Sequence, residues 1–136
     1  MSTSDRRSNC PISFALELLG DRWTLLVVRD LVFFGKRRFS EFRDSPEGVA
    51  TNVLSNRLQR LLDAGVIGCE QDPDDGRQIL YRLIEAGRDL VPALLELARW
   101  GGRHGPRAAA SPQLLERLEK DRDGLMAEIL ARLDEG

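Results

Sequence analysis

FSEFRDSPEGVATNVLSNRLQRLLDAGVIGCEQDPDDGRQILY, residues 39 to 81, is the stretch of sequence that decides the fold. It predicts a short helix, a turn, a second helix that ends at Gly65, and two strands around the turn Asp74-Asp75-Gly76. A winged helix-turn-helix is built in this order, and it places its second helix in a DNA groove. The sequence therefore predicts a mainly α fold with a small β-hairpin wing (α+β), and a DNA-binding regulator is the first functional hypothesis.

The second helix of this stretch has one apolar and one polar face. Leu54, Leu58 and Leu61 form the predicted inward stripe, and at about 100° per residue the opposite face is polar. Asn and Gln side chains on such a face can bond adenine in two places. A solvated face without a partner is the competing interpretation for this helix taken alone. The residues that we predict to bind DNA from this helix are Thr51, Asn52, Ser55, Asn56, Gln59 and Arg60.

The charge distribution is uneven along the chain. The 136 residues have a formal net charge of −2, so any affinity for DNA must come from a local patch. Residues 36–60 contain six basic and three acidic side chains, whereas residues 113–136 contain four basic and seven acidic ones. Arg37 and Arg38 of the basic stretch, and Arg77 and Gln78 at the base of the hairpin, are further predicted phosphate contacts. An ordinary solvated surface is the alternative for residues 36–38.

Helices are predicted on both sides of this stretch. A first helix begins at Cys10 or Pro11, and Asp21 can cap a second, largely buried helix. The helix after the hairpin, which contains Trp100, has more apolar surface than a small monomer can cover, and this indicates a partner helix. The predicted layout is a flexible arm (1–9), a winged helix-turn-helix domain with its dimerisation helices (10–101), a linker (102–112), and one additional C-terminal helix (113–136) that is weakened at Gly124.

Several functional classes are disfavoured. No apolar run approaches the ~20 residues of a membrane-spanning helix, so we expect a cytosolic protein without membrane contact. Two cysteines and one histidine form neither a disulfide framework nor a zinc site, so no metal and no cofactor is expected. An enzyme is the weakest hypothesis, because His104 stands alone and no Ser or Cys has an evident base partner.

A set of ordered sequence pieces points to a known family. They are 10–11 (CP), 19–26 (LGDRWTLL), 29–31 (RDL), 38–42 (RFSEF), 48–58 (GVATNVLSNRL), 61–67 (LLDAGVI) and 81–87 (YRLIEAG). Together they resemble the HxlR-type family of bacterial winged-helix transcriptional regulators over about residues 10 to 101. Two departures are Ile84, where the family usually has a helix-capping threonine, and the additional segment after Gly105.

The resemblance implies a homodimer formed through the first and the post-wing helices. It also implies that each subunit places the helix that starts at Thr51 in a major groove of double-stranded DNA, with the wing near the backbone. Two-fold symmetry then predicts a roughly palindromic operator with half-sites about one helical turn, or a multiple of it, apart.

Cys10 is a candidate sensor of oxidants or electrophiles. Several members of the family sense such compounds through a cysteine at this position. A helix N-terminus with Arg6 and Arg7 nearby in sequence also favours the reactive thiolate. The alternative is an unreactive thiol that packs as a small hydrophobe. Cys69, within the first strand, is expected to be structural.

Two other functional hypotheses remain open from the sequence. In one, the protein is a small-molecule-responsive repressor whose ligand pocket at the dimer interface is lined by the extra C-terminal helix and Trp100. In the other, the winged helix is used for protein contact alone, and any DNA binding would depend only weakly on salt.

Overall fold

The computed structural model describes residues 8–106 and 111–135. Most of the predicted N-terminal arm, part of the predicted linker and the last residue lie outside the described residues. The helices and strands, in chain order, are α1 (Pro11–Leu19), α2 (Arg22–Phe33), α3 (Phe39–Arg43), α4 (Thr51–Asp63), β1 (Ile67–Gln71), β2 (Ile79–Leu83), α5 (Glu85–Arg88), α6 (Val91–His104), α7 (Pro112–Lys120) and α8 (Arg122–Glu135). The predicted fold class, a winged helix-turn-helix with a small hairpin and additional C-terminal structure, is confirmed.

Helix α4 is oriented by its apolar stripe. Leu54, Leu58 and Leu61 are all buried, as the 3.6-residue period predicts, and they pack α4 on α2 and α3. The helix ends where Gly65 adopts a φ of 73°, a left-handed conformation that costs glycine little. The opposite face of α4 is consequently turned away from the core.

The wing is a two-stranded antiparallel hairpin with a third short partner. The register pairs Ile67 with Leu83 and Gln71 with Ile79. An isolated bridge joins Arg38 to Leu80, and the Tyr81 amide donates to the Arg37 carbonyl at 2.8 Å. The segment before α3 therefore extends the hairpin, and it connects the wing to the start of the helix-turn-helix.

The core is centred on α2 and includes the C-terminal helices. Val28 of α2 is fully buried, and Leu118, Leu125 and Ile129 of α7 and α8 belong to the same hydrophobic cluster. Helix α8 packs on α2 and α6 of its own chain. The additional segment after Gly105 is thus an integral part of the domain core.

The structure corrects the prediction of one long C-terminal helix. The chain breaks between α7 and α8 at Asp121, which has φ −140° and ψ 46°, three residues before the predicted weak point. Asp121 accepts the first backbone hydrogen bond of α8, from Leu125, and a Cβ on Gly124 would lie 2.4 Å from its carboxylate. Gly124 therefore makes room for the Asp121 side chain at the start of α8.

The segment after the wing is likewise two helices. The side chain of Ile84 makes no cap hydrogen bond to α5, as its departure from threonine predicts. Helix α6 then continues to His104, so residues 102–104 are helical where the sequence predicted a linker.

Candidate nucleic-acid interface

The outer face of α4 carries five of the predicted DNA-binding residues. The side chains of Thr51, Asn52, Ser55, Asn56 and Gln59 are exposed. Asn52, Asn56 and Gln59 follow at spacings of four and three, which places them on the same side of a helix. The outer face of α4 is therefore a polar surface, and the buried leucines of the opposite face hold the helix against the core.

Two of these amides already make one contact on the helix itself. Arg57 Nη1 donates to Asn56 Oδ1 at 2.5 Å, and Gln59 Nε2 donates to Asp63 Oδ1 at 2.9 Å. Among the described residues, the amide nitrogen of Asn56 and the amide oxygen of Gln59 have no hydrogen-bond partner. These contacts restrict both side chains while leaving a donor on one and an acceptor on the other.

Arg60 is oriented differently from the other predicted residues of α4. Its Nη2 donates to the carbonyl oxygens of Glu17 and Leu18 at 3.1 and 3.2 Å, and its Nη1 donates to Asp21 at 3.4 Å. Arg60 thus fastens α4 to the end of α1. The sequence placed Arg60 on the flank of the polar face, but its contacts direct it toward the protein interior.

The Asp21 carboxylate connects two helices, α2 and α4. Its Oδ1 accepts from the Trp23 and Thr24 amides, which caps α2, and also from Arg57 Nε of α4 at 2.9 Å. Burial on its own would raise the pKa of Asp21, but hydrogen bonds from Thr24 and Arg57 outweigh it and lower the pKa to about 2. The sequence predicted the cap, whereas the contacts with α4 were missed because they join residues 36 and 39 positions apart.

A buried carboxylate anchors the wing to the start of α3. Arg38 Nη2 lies 2.6 Å from Asp72 Oδ2, and the Asp72 side chain is almost inaccessible to solvent. A backbone hydrogen bond from Asp74, together with the Arg38 guanidinium, lowers the pKa of Asp72. Arg38 therefore positions the wing, in addition to any contact that it makes with DNA.

Arg37 also joins the wing. Its Nε donates to the Tyr81 carbonyl at 3.4 Å, and its Nη2 lies 3.7 Å from Glu70 Oε1. The Glu41 carboxylate accepts from the Arg37 and Arg38 amides, which closes the N-terminal end of α3. Arg37 and Arg38 are thus held at the junction of α3 and the wing.

Arg77 and Gln78 lie in the turn between the strands, at the tip of the hairpin, so the structure corrects their predicted position at its base. Both are exposed, and the Arg77 side chain is 92% accessible, with its Nε 3.3 Å from Asp75 Oδ1. Arg77 is the most accessible of the three arginines predicted to contact phosphate, since the side chains of Arg38 and Arg37 are 39% and 27% accessible.

A second polar cluster holds the turn that precedes α4. The buried Asp30 carboxylate accepts from Ser45 Oγ at 2.5 Å, and Arg29 forms a two-pronged ion pair with Glu47 at 2.5 and 2.9 Å. The hydrogen bond from Arg29 lowers the pKa of Glu47 to about 2. This cluster joins α2 to residues 45–47 and so fixes the entry to α4, and nothing in the sequence spacing indicated it.

Cys10 is exposed and lies at the N-cap position of α1. Its amide donates to Ser8 Oγ at 3.3 Å, whereas Arg6 and Arg7 lie outside the described residues. Cys69 is also exposed on β1, opposite Tyr81, rather than packed in the core. Both thiols are therefore accessible in the described chain.

Two helices expose large apolar side chains. Ile12, Phe14 and Leu16 project from α1, which has no fully buried residue, and Leu97 and Trp100 project from α6. The Trp100 ring lies against His104, with 5.0 Å between the ring centroids. Trp100 lines neither the small cavity beside Trp23 and Phe42 nor the cleft between the wing and α8.

Residues 8–106 and 111–135 contain no helix long and apolar enough to cross a bilayer. Over the same ranges, no group of three or more His, Cys, Asp or Glu side chains is arranged to hold a metal ion.

A helix-turn-helix, a wing that is joined to it, and a polar outer face on the second helix together define a winged helix-turn-helix domain. The comparison with protein families agrees with this class. The chain belongs to the HxlR-like helix-turn-helix family, whose model matches residues 18–109. The match leaves Cys10 and most of α1 outside the family region.

Three similar proteins illustrate the relationship. Rv3095 of Mycobacterium tuberculosis, an HTH-type transcriptional regulator, is 42% identical over 98 residues, which are 72% of this chain and 61% of that protein. The crystal structure of PA1607, a putative transcription factor, has a TM-score of 0.69 at 37% identity and covers 80% of this chain and 75% of that one. The oxidized form of the redox regulator HypR has a TM-score of 0.63 at 28% identity and covers 71% of this chain and 99% of that one.

Proposed function

We propose that the protein binds double-stranded DNA sequence-specifically as a homodimer, with α4 of each subunit in a major groove. The observation that carries this proposal is the exposed row of Asn52, Asn56 and Gln59 on a helix whose opposite face is fully buried. Side chains that read base edges must be both accessible and held in place by a rigid element. Helix α4 meets both conditions.

The first turns of α4 provide the polar contacts. Asn and Gln amides can donate to and accept from an adenine edge at the same time, and the Thr51 and Ser55 hydroxyls can bond bases or phosphates. The Asn56 amide nitrogen and the Gln59 amide oxygen remain available for such contacts. Arg60, which is bound to α1, acts in this proposal by holding α4 in position.

The wing supplies contacts that do not depend on sequence. Arg77 and Gln78 lie at its tip and can reach a phosphate, while the Arg38–Asp72 ion pair sets the direction of the hairpin. We infer that Arg37 and Arg38 act on DNA mainly by orienting the wing, because both are bound to it.

The exposed apolar residues of α1 and α6 support a homodimer. Ile12 is 70% exposed and Trp100 is 61% exposed, and clustered apolar side chains of this size usually mark an interface. A two-fold dimer places its two α4 helices on successive turns of the duplex, so the operator would be a roughly palindromic sequence.

A DNA titration tests the proposal. The purified chain is titrated with the DNA immediately upstream of its own gene, and with a shuffled sequence of equal length, at two salt concentrations. We expect tight binding to the upstream DNA that weakens steeply with salt, because bound arginines release counterions from the phosphates. Equal affinity for both sequences, or an affinity independent of salt, would instead favour a winged helix used for protein contact.

A second candidate function is redox response through Cys10. The exposed Cys10 at the N-terminal end of α1 supports it, since oxidation there would alter a helix that carries the proposed dimer surface. HypR, at 28% identity, is described as a redox regulator. We expect diamide to weaken DNA binding of the wild type and of Cys69→Ser, but not of Cys10→Ser. Loss of binding in Cys10→Ser after diamide would remove Cys10 from the mechanism.

A further inference from the structure

A cleft of about 320 Å³ lies between the wing and the C-terminal end of α8. Its apolar lining comes from Leu31, Leu83 and Leu133, and the Tyr81 side chain contributes a further wall. The volume lies within the range of about 300–1,000 Å³ that is usual for small-molecule sites. The C-terminal segment thus forms a concave surface that the helix-turn-helix and wing do not form alone.

The polar lining of the cleft is rich in arginine. Arg37, Arg82, Arg88 and Arg132 contribute four positive charges, against two negative charges from Glu70 and Asp134. Arg88 Nη2 lies 2.5 Å from Asp134 Oδ1, and Arg37 Nη2 lies 3.7 Å from Glu70 Oε1. These two ion pairs account for both carboxylates.

Arg82 and Arg132 are the two remaining cations of the cleft. Both are exposed, and neither makes a hydrogen bond or an ion pair with another of the described residues. One comes from β2 and the other from α8, so the cleft carries an excess of two positive charges beside an apolar lining. The planar guanidinium group matches the geometry of a carboxylate and can bind it through two parallel hydrogen bonds.

We propose that this cleft binds a small organic anion with an apolar body. Arg82 and Arg132 hold its carboxylate, and the leucines with Tyr81 contact its apolar part. A DNA phosphate could bind the arginines, but it has no apolar part to contact the leucine lining. The lining residues come from α2, the segment before α3, the wing, α5 and α8, so the site is separate from the polar face of α4 and from the exposed side chains of α1 and α6.

Calorimetric titration of the full chain tests this proposal. The probes are 2-naphthoate, benzoate and indole-3-carboxylate, each paired with its neutral amide, and inorganic phosphate. The variants are Arg82→Gln, Arg132→Gln and their combination, and Arg43→Gln is the control, because Arg43 is an exposed arginine outside the cleft whose ion pair is with its neighbour Asp44. Neither cleft substitution removes a partner from a carboxylate, so the variants should fold normally.

We expect at least one carboxylate to bind with one molecule per chain, and its amide to bind at least about tenfold more weakly, which is the usual effect of losing a charged hydrogen bond. Arg82→Gln and Arg132→Gln should each lower the affinity for the carboxylate about tenfold without changing the affinity for the amide. Arg43→Gln should change neither affinity.

Three results would overturn the proposal: no carboxylate bound at millimolar concentration, equal binding of carboxylate and amide, or an unchanged affinity in the double variant. Displacement of 2-naphthoate by an equal concentration of phosphate would also overturn it, because it would show a site for any anion. No DNA is present in these titrations, so their outcome does not depend on the proposed function.

Discussion

Arg57 of the proposed DNA-reading helix donates its Nε hydrogen to Asp21 Oδ1 at 2.9 Å, and the same oxygen caps α2. The orientation of α4 and the start of the central helix therefore depend on one side chain. Arg60 extends this link to the last turn of α1 through two backbone carbonyls. A change at α1 can thereby reach α4 through direct contacts.

Replacement of Asp21 should destabilise the protein. Asp21→Ala removes the cap of α2 and leaves Arg57 without its carboxylate, so we expect the free energy of unfolding to fall by about 1–2 kcal/mol, the usual cost of losing a cap. Asp21→Asn keeps an oxygen that can cap and should cost less. Urea unfolding of the three proteins measures both effects, and an Asn variant as unstable as the Ala variant would show that the charge matters more than the cap.

The stability should also fall in acid over a defined range. The pKa values of Asp21 and Glu47 are about 2 in the folded protein, against 3.8 and 4.5 ordinarily. A carboxyl with a lowered pKa stabilises the folded state fully above its ordinary pKa, and this stabilisation is lost as the pH falls to the lowered value. We therefore expect the melting temperature to drop between about pH 4.5 and pH 2, with a shallower drop in Asp21→Asn. If the melting temperatures of the wild type and Asp21→Asn fall in parallel as the pH is lowered, Asp21 does not contribute to this acid sensitivity.

The wing should loosen when its buried ion pair is broken. Arg38→Ala leaves the Asp72 carboxylate buried beside no cation, whereas Arg38→Ala with Asp72→Ala removes both charges. We expect amide hydrogen exchange in β1 and β2 to accelerate most in the single variant and less in the double variant. Exchange that is equal in the two variants would mean that Arg38 and Asp72 do not act as a pair.

The sequence and the structure agree where short-range patterns decide the conformation. The period of Leu54, Leu58 and Leu61 was sufficient to orient α4, because a helix has a fixed angle per residue. The Arg38–Asp72 pair and the inward direction of Arg60 could not be read in this way, since both depend on residues more than 30 positions away. The break at Asp121 was missed because Leu118 and Leu125, on either side of it, are seven residues apart, which is also the spacing of two turns in an uninterrupted helix.

Substitutions on α4 and on the wing should affect DNA binding differently. Asn52→Ala or Asn56→Ala should reduce discrimination at particular base pairs by ~1–3 kcal/mol if the amide bonds adenine in two places. Arg77→Ala should weaken binding to all DNA sequences alike. It should also reduce by about one the slope of the logarithm of the binding constant against the logarithm of the salt concentration. Binding measured on an operator and on single-base variants separates the two patterns, and uniform losses in all three proteins would contradict base reading by α4.

The last prediction concerns the exposed apolar residues of α1 and α6. Phe14→Glu on α1 or Trp100→Glu on α6 places a charge on the proposed dimer surface, where a desolvated charge without a partner is costly. We expect either change to convert a dimer into a monomer in sedimentation equilibrium, and to weaken operator binding by removing the second α4 from the duplex.

A matched control distinguishes loss of the interface from a general effect of an added charge. Phe34 is also exposed, but it lies at the end of α2, with Arg29 and Lys36 near its ring at 5.3 and 5.7 Å. Phe34→Glu should therefore leave the dimer intact, because its carboxylate would meet two cations outside α1 and α6. Dimers that survive both Phe14→Glu and Trp100→Glu would place the subunit contact elsewhere, and dissociation by Phe34→Glu would extend it to the end of α2.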